Sequence, residues 1–207
     1  MIKKPLEVVY LVDASSSVSG ETMALFKSFI KSSLAGYQIS NSGTRASVVT
    51  FGERATITLP LTEGGNLQRV LQAIDGLENV GGIGRLDIAL QKVYDSVLTQ
   101  EAGLRAGAGK VVIAFIAIGN RPISGQQLLS FTENLKDQNT KISIIAVRQQ
   151  GSSSTDYYLE NIGNLVDNMN FIDIVDLPSV FPGVLVTSGL ASGSFSFTFS
   201  MTDIYVT

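Results

Sequence analysis

Val8-Val9-Tyr10-Leu11-Val12 is an apolar run without polar alternation, and it stops at Asp13. A strand with one wet face alternates apolar and polar residues. A continuous Val/Leu/Tyr run needs cover on both faces, which a parallel sheet between two helical layers provides. Lys110 to Gly119 and Lys141 to Val147 repeat the pattern. Asp13 therefore falls at the carboxyl end of a central strand, where open α/β sheets place their ligand sites. Ser15 and Ser17 follow at alternate positions. One carboxylate and two hydroxyls on one turn are hard oxygen donors and suit Mg2+ or Ca2+. The same residue types also favour a turn that caps a helix.

The rest of the chain alternates helix and strand. Met23, Phe26, Phe29, Ile30 and Leu34 recur at helical spacing after Ser19, so residues 20–35 are predicted as an amphipathic helix with Ser19 as its cap. Residues 45–52 and 55–59 are two strands joined by a tight turn at Gly52-Glu53-Arg54. Residues 66–76 are a short helix with Leu67, Val70, Leu71, Ile74 and Leu77 on one face. A glycine-rich loop, Gly81-Gly82-Ile83-Gly84, leads to a helix running to about Thr99 with Asp87 as its expected cap. Gly103 to Gly109 is a flexible loop with one basic residue. Helices follow around Leu128–Leu135, from Asp156 to about Met169 and over 177–185, and the last strand of the sheet is 171–175. The order predicts a doubly wound, mostly parallel α/β sheet with right-handed crossovers and one antiparallel edge strand.

Asp13-x-Ser15-x-Ser17 at the end of a buried strand, with the Gly81–Leu90 segment and the 110–119 strand, resembles the von Willebrand factor A domain and its metal-ion-dependent adhesion site. The resemblance covers roughly residues 6–187. It implies a Rossmann-like six-stranded sheet in the order 3-2-1-4-5-6. It implies Asp13, Ser15 and Ser17 as metal ligands. The family pattern also places a Thr where this chain has Gly84, and an Asp where it has Ile118. With one carboxylate and two hydroxyls remaining, the site is expected to hold Mg2+ or Ca2+ weakly, at about millimolar, or not at all. The candidate partner-binding rim is Ser16, Gly82, Gly84, Arg85, Asn120 and Arg121.

Composition removes several alternatives. The chain has 207 residues, 44% hydrophobic and 16% charged, enough for a well-buried core. It contains no His and no Cys. Ser-His-Asp and Cys-His catalysis cannot be built, and zinc and iron–sulfur sites lose their usual ligands. Net charge is −3, without a Lys/Arg run, which argues against a nucleic-acid surface. Gly82-x-Gly84-x-x-Asp87 lacks the third glycine and the preceding strand of a dinucleotide loop. No signal peptide or membrane-spanning run is read in the sequence.

The expected function is a non-enzymatic protein-binding or adhesion module. Resemblance to collagen- and matrilin-type A domains implies a secreted matrix or cell-surface setting, with collagen or another matrix protein as partner and no membrane span. An intracellular A-domain subunit of a larger complex is the alternative setting. Residues 1–187 form the A-like domain, and 188–207 an extension. In that extension Ser194-Phe195-Ser196-Phe197-Thr198-Phe199-Ser200-Met201-Thr202 alternates with period two, a strand with one apolar face. Such a strand could augment a sheet edge and make a homo-oligomer, the structural alternative to adhesion.

Overall fold

A computed structural model describes residues 5–118, 127–148 and 166–173. In chain order the elements are β1 (Leu6–Asp13), α1 (Gly20–Leu34), β2 (Thr44–Phe51), β3 (Ala55–Leu59), α2 (Leu67–Asp75), α3 (Leu86–Lys92), a π-helical turn (Val93–Val97), β4 (Gly109–Ile118), α4 (Gln127–Asp137), β5 (Thr140–Arg148) and β6 (Asn168–Asp173). They form one sheet in the order β3-β2-β1-β4-β5-β6. Only β2 and β3 pair antiparallel. The order from β3 to β5 is the one the family resemblance implies.

The unbroken apolar runs have the cause inferred from sequence. Val8, Tyr10 and Val12 face a core layer shared with Phe26, Phe29 and Ile30 of α1 and Val70 and Ile74 of α2. Val9 and Leu11 face the opposite layer, with Leu86, Ala89 and Leu90 of α3 and Leu128 and Leu135 of α4. Every β1 residue from Val8 to Val12 is 0% exposed. Phe115 of β4 anchors the first layer, its ring centroid 5.6 Å from that of Phe26 and 6.4 Å from those of Tyr10 and Phe29.

The helix starts follow local chemistry. Ser19 Oγ accepts a hydrogen bond from Thr22 N at 3.1 Å, and Asn66 Oδ1 accepts from Gln68 N and Arg69 N at 3.0 and 3.2 Å. Both side chains satisfy amide donors that have no partner within the first helical turn. The β2–β3 turn closes with Gly52 N donating to Arg54 O at 3.0 Å.

Several expectations are corrected. Leu67 is not on the inward face of α2. As the first residue after the Asn66 cap it stays 43% exposed. The helix expected to run to Thr99 stops being α-helical at Lys92, where Leu98 N donates to Val93 O five residues back, the spacing of a π-turn. Met169, expected at the end of a helix, lies in β6, which begins at Asn168 rather than 171. Asp167 sets that start: its N donates to Ile142 O at 2.8 Å, and its Oδ2 accepts from Ile142 N at 2.7 Å. The body of the helix expected from Asp156, the expected helix over 177–185 and the extension 188–207 lie outside the described residues.

The 103–109 loop is tied down. Arg105 reaches back to the amino end of β1, where its Nε donates to Glu7 Oε1 at 2.8 Å and its second guanidinium nitrogen to Leu6 O and Gly43 O at 3.0 and 2.8 Å. Arg45 of β2 meets the same carboxylate through two bonds of 3.0 and 2.6 Å. The Glu7 side chain is 0% exposed and is shared between two guanidinium groups. This cluster closes the pole of the sheet opposite to Asp13.

Candidate functional site

The site begins where β1 runs out between β2 and β4. Asp13 is 2% exposed. Its Oδ1 accepts from Ser15 N at 2.9 Å, and its Oδ2 from Ala117 N of β4 at 3.1 Å. Ser15 repeats the device: its Oγ accepts from Ser17 N at 3.3 Å. The Asp-x-Ser-x-Ser stretch is therefore two successive side-chain-closed turns that lead from β1 to the Ser19 cap of α1. Burial pushes the Asp13 carboxyl upward from the usual range, against the lowering effect of the Ser15 hydroxyl, Ser15 N and Ala117 N.

The glycine loop closes over this turn. Val80 N and Gly81 N both donate to Ala14 O, at 2.8 and 3.0 Å, and Ser16 N donates to Gly82 O at 3.0 Å. Asn79 adds a side-chain bond to Val18 O at 2.6 Å. Gly81 and Gly82 hold φ of +77° and +74°, the left-handed region that favours glycine. The β2–β3 turn joins from the side, with Arg85 N donating to Gly52 O at 3.1 Å. Three loops from three parts of the chain are thus joined by main-chain bonds into one surface.

Gly84 sits against the carboxylate. A Cβ added there would lie 3.2 Å from Ser15 Oγ and 3.4 Å from each Asp13 oxygen. Position 84 is therefore where a side-chain hydroxyl would enter the donor set, and this chain supplies none. Ile118, at the position of the expected second carboxylate, is 2% exposed and belongs to the apolar layer. Among the described residues no three acidic side chains converge. The oxygens of Asp13 are each engaged by a backbone donor, and Ser15 Oγ by another. Asp13 and Ser15 thus face position 84 with hard oxygen donors, and among the described residues no further acidic side chain joins them.

Of the sequence-predicted residues, Asp13, Ser15, Ser16, Ser17, Gly82, Gly84 and Arg85 come together at this end of the sheet. Asn120 and Arg121 lie outside the described residues. Asp87 does not cap α3. The cap position is Arg85, and Asp87, 1% exposed, binds the Arg85 guanidinium through bonds of 2.8 and 2.6 Å. Sequence reasoning misses Asn79 and Val80. The signal that could have found Val80 is an aliphatic residue directly before a glycine pair, where a loop would ordinarily be polar.

The family model for the von Willebrand factor type A domain matches residues 7–180. The chain belongs to that family. Among its relatives, this A domain is 30% identical over 108 residues to human von Willebrand factor A domain-containing protein 2, covering 52% of this chain and 14% of that protein. It is 26% identical over 120 residues to human matrilin-3, 58% of this chain and 25% of that protein. Mouse collagen alpha-6(VI) chain shares 27% over 110 residues, 53% of this chain and 5% of its own length. The matched region therefore spans a quarter or less of each of these relatives. A solved structure of proximal thread matrix protein 1 from the mussel byssus, with a zinc-occupied adhesion-site motif, shares the fold at a TM-score of 0.70 and 19% identity, covering 86% of this chain and 46% of that one.

Proposed function

We propose that this A domain is a non-enzymatic protein-binding module of a secreted matrix or cell-surface protein, and that it engages its partner without a tightly held divalent cation. The observation that carries the reading is the self-sufficiency of Asp13. Its two oxygens accept main-chain N–H bonds from β4 and from its own turn, Gly84 faces it with no side chain to add a donor, and at the position of the expected second carboxylate Ile118 is a buried aliphatic group. Asp13 in this arrangement organises the loops. Were a cation to bind, Asp13, Ser15 and Ser17 would hold Mg2+ or Ca2+ with water filling the remaining positions.

The partner surface is the joined rim of Ser16, Gly82, Gly84 and Arg85, together with Asn120 and Arg121. Relatives among matrilin and collagen chains support a matrix setting and a protein partner, for which collagen is the candidate we propose. Without His or Cys the Ser-His-Asp and Cys-His pairs cannot be built.

Thermal melts test the cation reading. A ligand that binds only the native state raises the melting temperature. EDTA, Mg2+, Ca2+ and Mn2+ at low millimolar levels should leave it unchanged in wild type and in Asp13→Ala alike. A rise that Asp13→Ala abolishes would overturn the proposal. Binding to surfaces coated with collagen VI should survive EDTA and be lost in Ser16→Trp. Loss in EDTA would overturn the cation-independent reading, and indifference to Ser16→Trp would overturn the rim.

A further inference from the structure

Four large apolar side chains stand well exposed among the described residues: Leu67, Val80, Ile83 and Leu129. Two of them, Val80 at 66% and Ile83 at 39%, lie on the same short loop at the functional end of the sheet. That loop is rigid by its bonding, since its main chain is fastened to Ala14, Ser16 and Gly52. Exposed aliphatic groups on a fixed backbone lose little freedom when a partner covers them, which is the property of a binding anchor.

Among the described residues the charge beside them is negative on balance, Glu53 and Glu78 against Arg54. The Glu53 side chain lies across Gly82, with Cγ 2.6 Å and Oε1 3.0 Å from where a Gly82 Cβ would be. Glycine at 82 makes room for that side chain next to Val80 and Ile83. Glu53 makes no ion pair or hydrogen bond among the described residues. Glu78, at the start of the loop, is a second exposed acid. Among the described residues the cations close by are Arg54, exposed on the β2–β3 turn, and Arg85. Arg85 is neutralised by its two bonds to Asp87 and offers no free charge to an acidic partner.

We infer that the rim receives an extended segment of a protein partner in which a Lys or Arg stands next to an apolar residue. The apolar side chain covers Val80 and Ile83, and the cation meets Glu53. The inference rests on the rim being the partner surface, and it gives that partner's recognition element the opposite sign from an acidic group reaching for a metal.

The test is an array of short synthetic peptides with randomised sequence, probed with the full chain in EDTA. Bound sequences should be enriched in Lys or Arg beside an aliphatic or aromatic residue. Val80→Ser, Ile83→Ser and Glu53→Gln should each weaken the best binders by about tenfold or more. Leu129→Ser, exposed on α4, should leave them unchanged, which also controls for folding. Added salt should weaken wild type more than Glu53→Gln. Binders that depend on Ser16 and Val80 but are enriched in Asp or Glu would overturn this inference and leave the rim standing. Binders indifferent to every rim variant, or no binders at all, would overturn both.

Discussion

Replacing Glu7 by glutamine removes one negative charge from a place where two positive charges depend on it. The Glu7 side chain is 0% exposed, and its partners Arg45 and Arg105 are 10% and 20% exposed. Breaking a buried ion pair from one side typically costs about 3–5 kcal/mol, because the charge left behind has lost water as well as its partner. Arg105 keeps hydrogen bonds to the carbonyls of Leu6, Asn41 and Gly43, and Arg45 keeps one to Gly103 O. Those acceptors hold the guanidinium groups but do not neutralise them, which puts the loss near the lower end, about 3 kcal/mol. In a domain of this size that corresponds to a fall in melting temperature of roughly 6–12 °C. Circular dichroism melts and urea titrations of wild type and Glu7→Gln measure it. The companion variant Glu7→Leu/Arg45→Met/Arg105→Met removes every charge and should recover much of the loss, since well-packed apolar groups often replace buried ion clusters without penalty. A Glu7→Gln protein melting within about 2 °C of wild type, or a triple variant clearly worse than the single one, would refute the reasoning.

Other outcomes follow from single contacts. Gly64→Ala should fail to fold or lose more than about 4 kcal/mol, because its Cβ would sit 1.8 Å from the main-chain oxygen of Ala46, which the β2 ladder holds in place; recovery of soluble protein and a urea titration read this out. Phe115→Ala should cost about 3–5 kcal/mol, measured in the same titration, by emptying the space among Tyr10, Phe26 and Phe29. The folded-state pKa of Asp13 lies above its unfolded value, so the native state binds this proton more tightly, and Asp13's contribution to stability falls as pH rises across the carboxylate range. The stability of wild type relative to Asp13→Asn should accordingly be greatest at acid pH and decline toward neutrality, in urea titrations at a series of pH values. Gly84→Thr/Ile118→Asp should create Mg2+ affinity that isothermal titration detects in the variant and not in wild type.

What could be read from the sequence was what short-range pattern encodes. The Val8–Val12 run located the central strand, and its lack of alternation is explained by the two core layers it feeds. Ser19 announced its helix because capping needs only the next three residues. The Asp13-x-Ser15-x-Ser17 turn was legible for the same reason, and so were the silences at Gly84 and Ile118. Pairings across long stretches of chain were not legible. Glu7 and Arg105 are separated by 98 positions, and nothing local marks either as a partner. Asp87 looked like a helix cap because Asp often is one, yet the adjacent Arg85 competes for its carboxylate and wins with two bonds. Leu67 fitted the apolar stripe of α2 in sequence, yet it stays 43% exposed, while Leu86 at the same position of α3 is buried. The start of β6 depended on Asp167 meeting Ile142, a contact that periodicity cannot express.

The placement of β1 at the middle of the sheet has a kinetic consequence. Asp13 takes one of its bonds from Ala117, 104 positions later, and β1 shares a full ladder with β4. On a ribosome adding about 5–20 residues per second, the strand that fills the centre waits roughly 5–20 s for its second neighbour to be made. During that interval Val8 to Val12 is a bare apolar ribbon with an unfilled edge, the kind of segment that pairs with copies of itself. Contacts of such long span also make folding slow once synthesis is complete. The nascent chain, more than the finished domain, is therefore where this architecture is vulnerable, and overproduction should lose protein to aggregates sooner at high synthesis rates than at low ones.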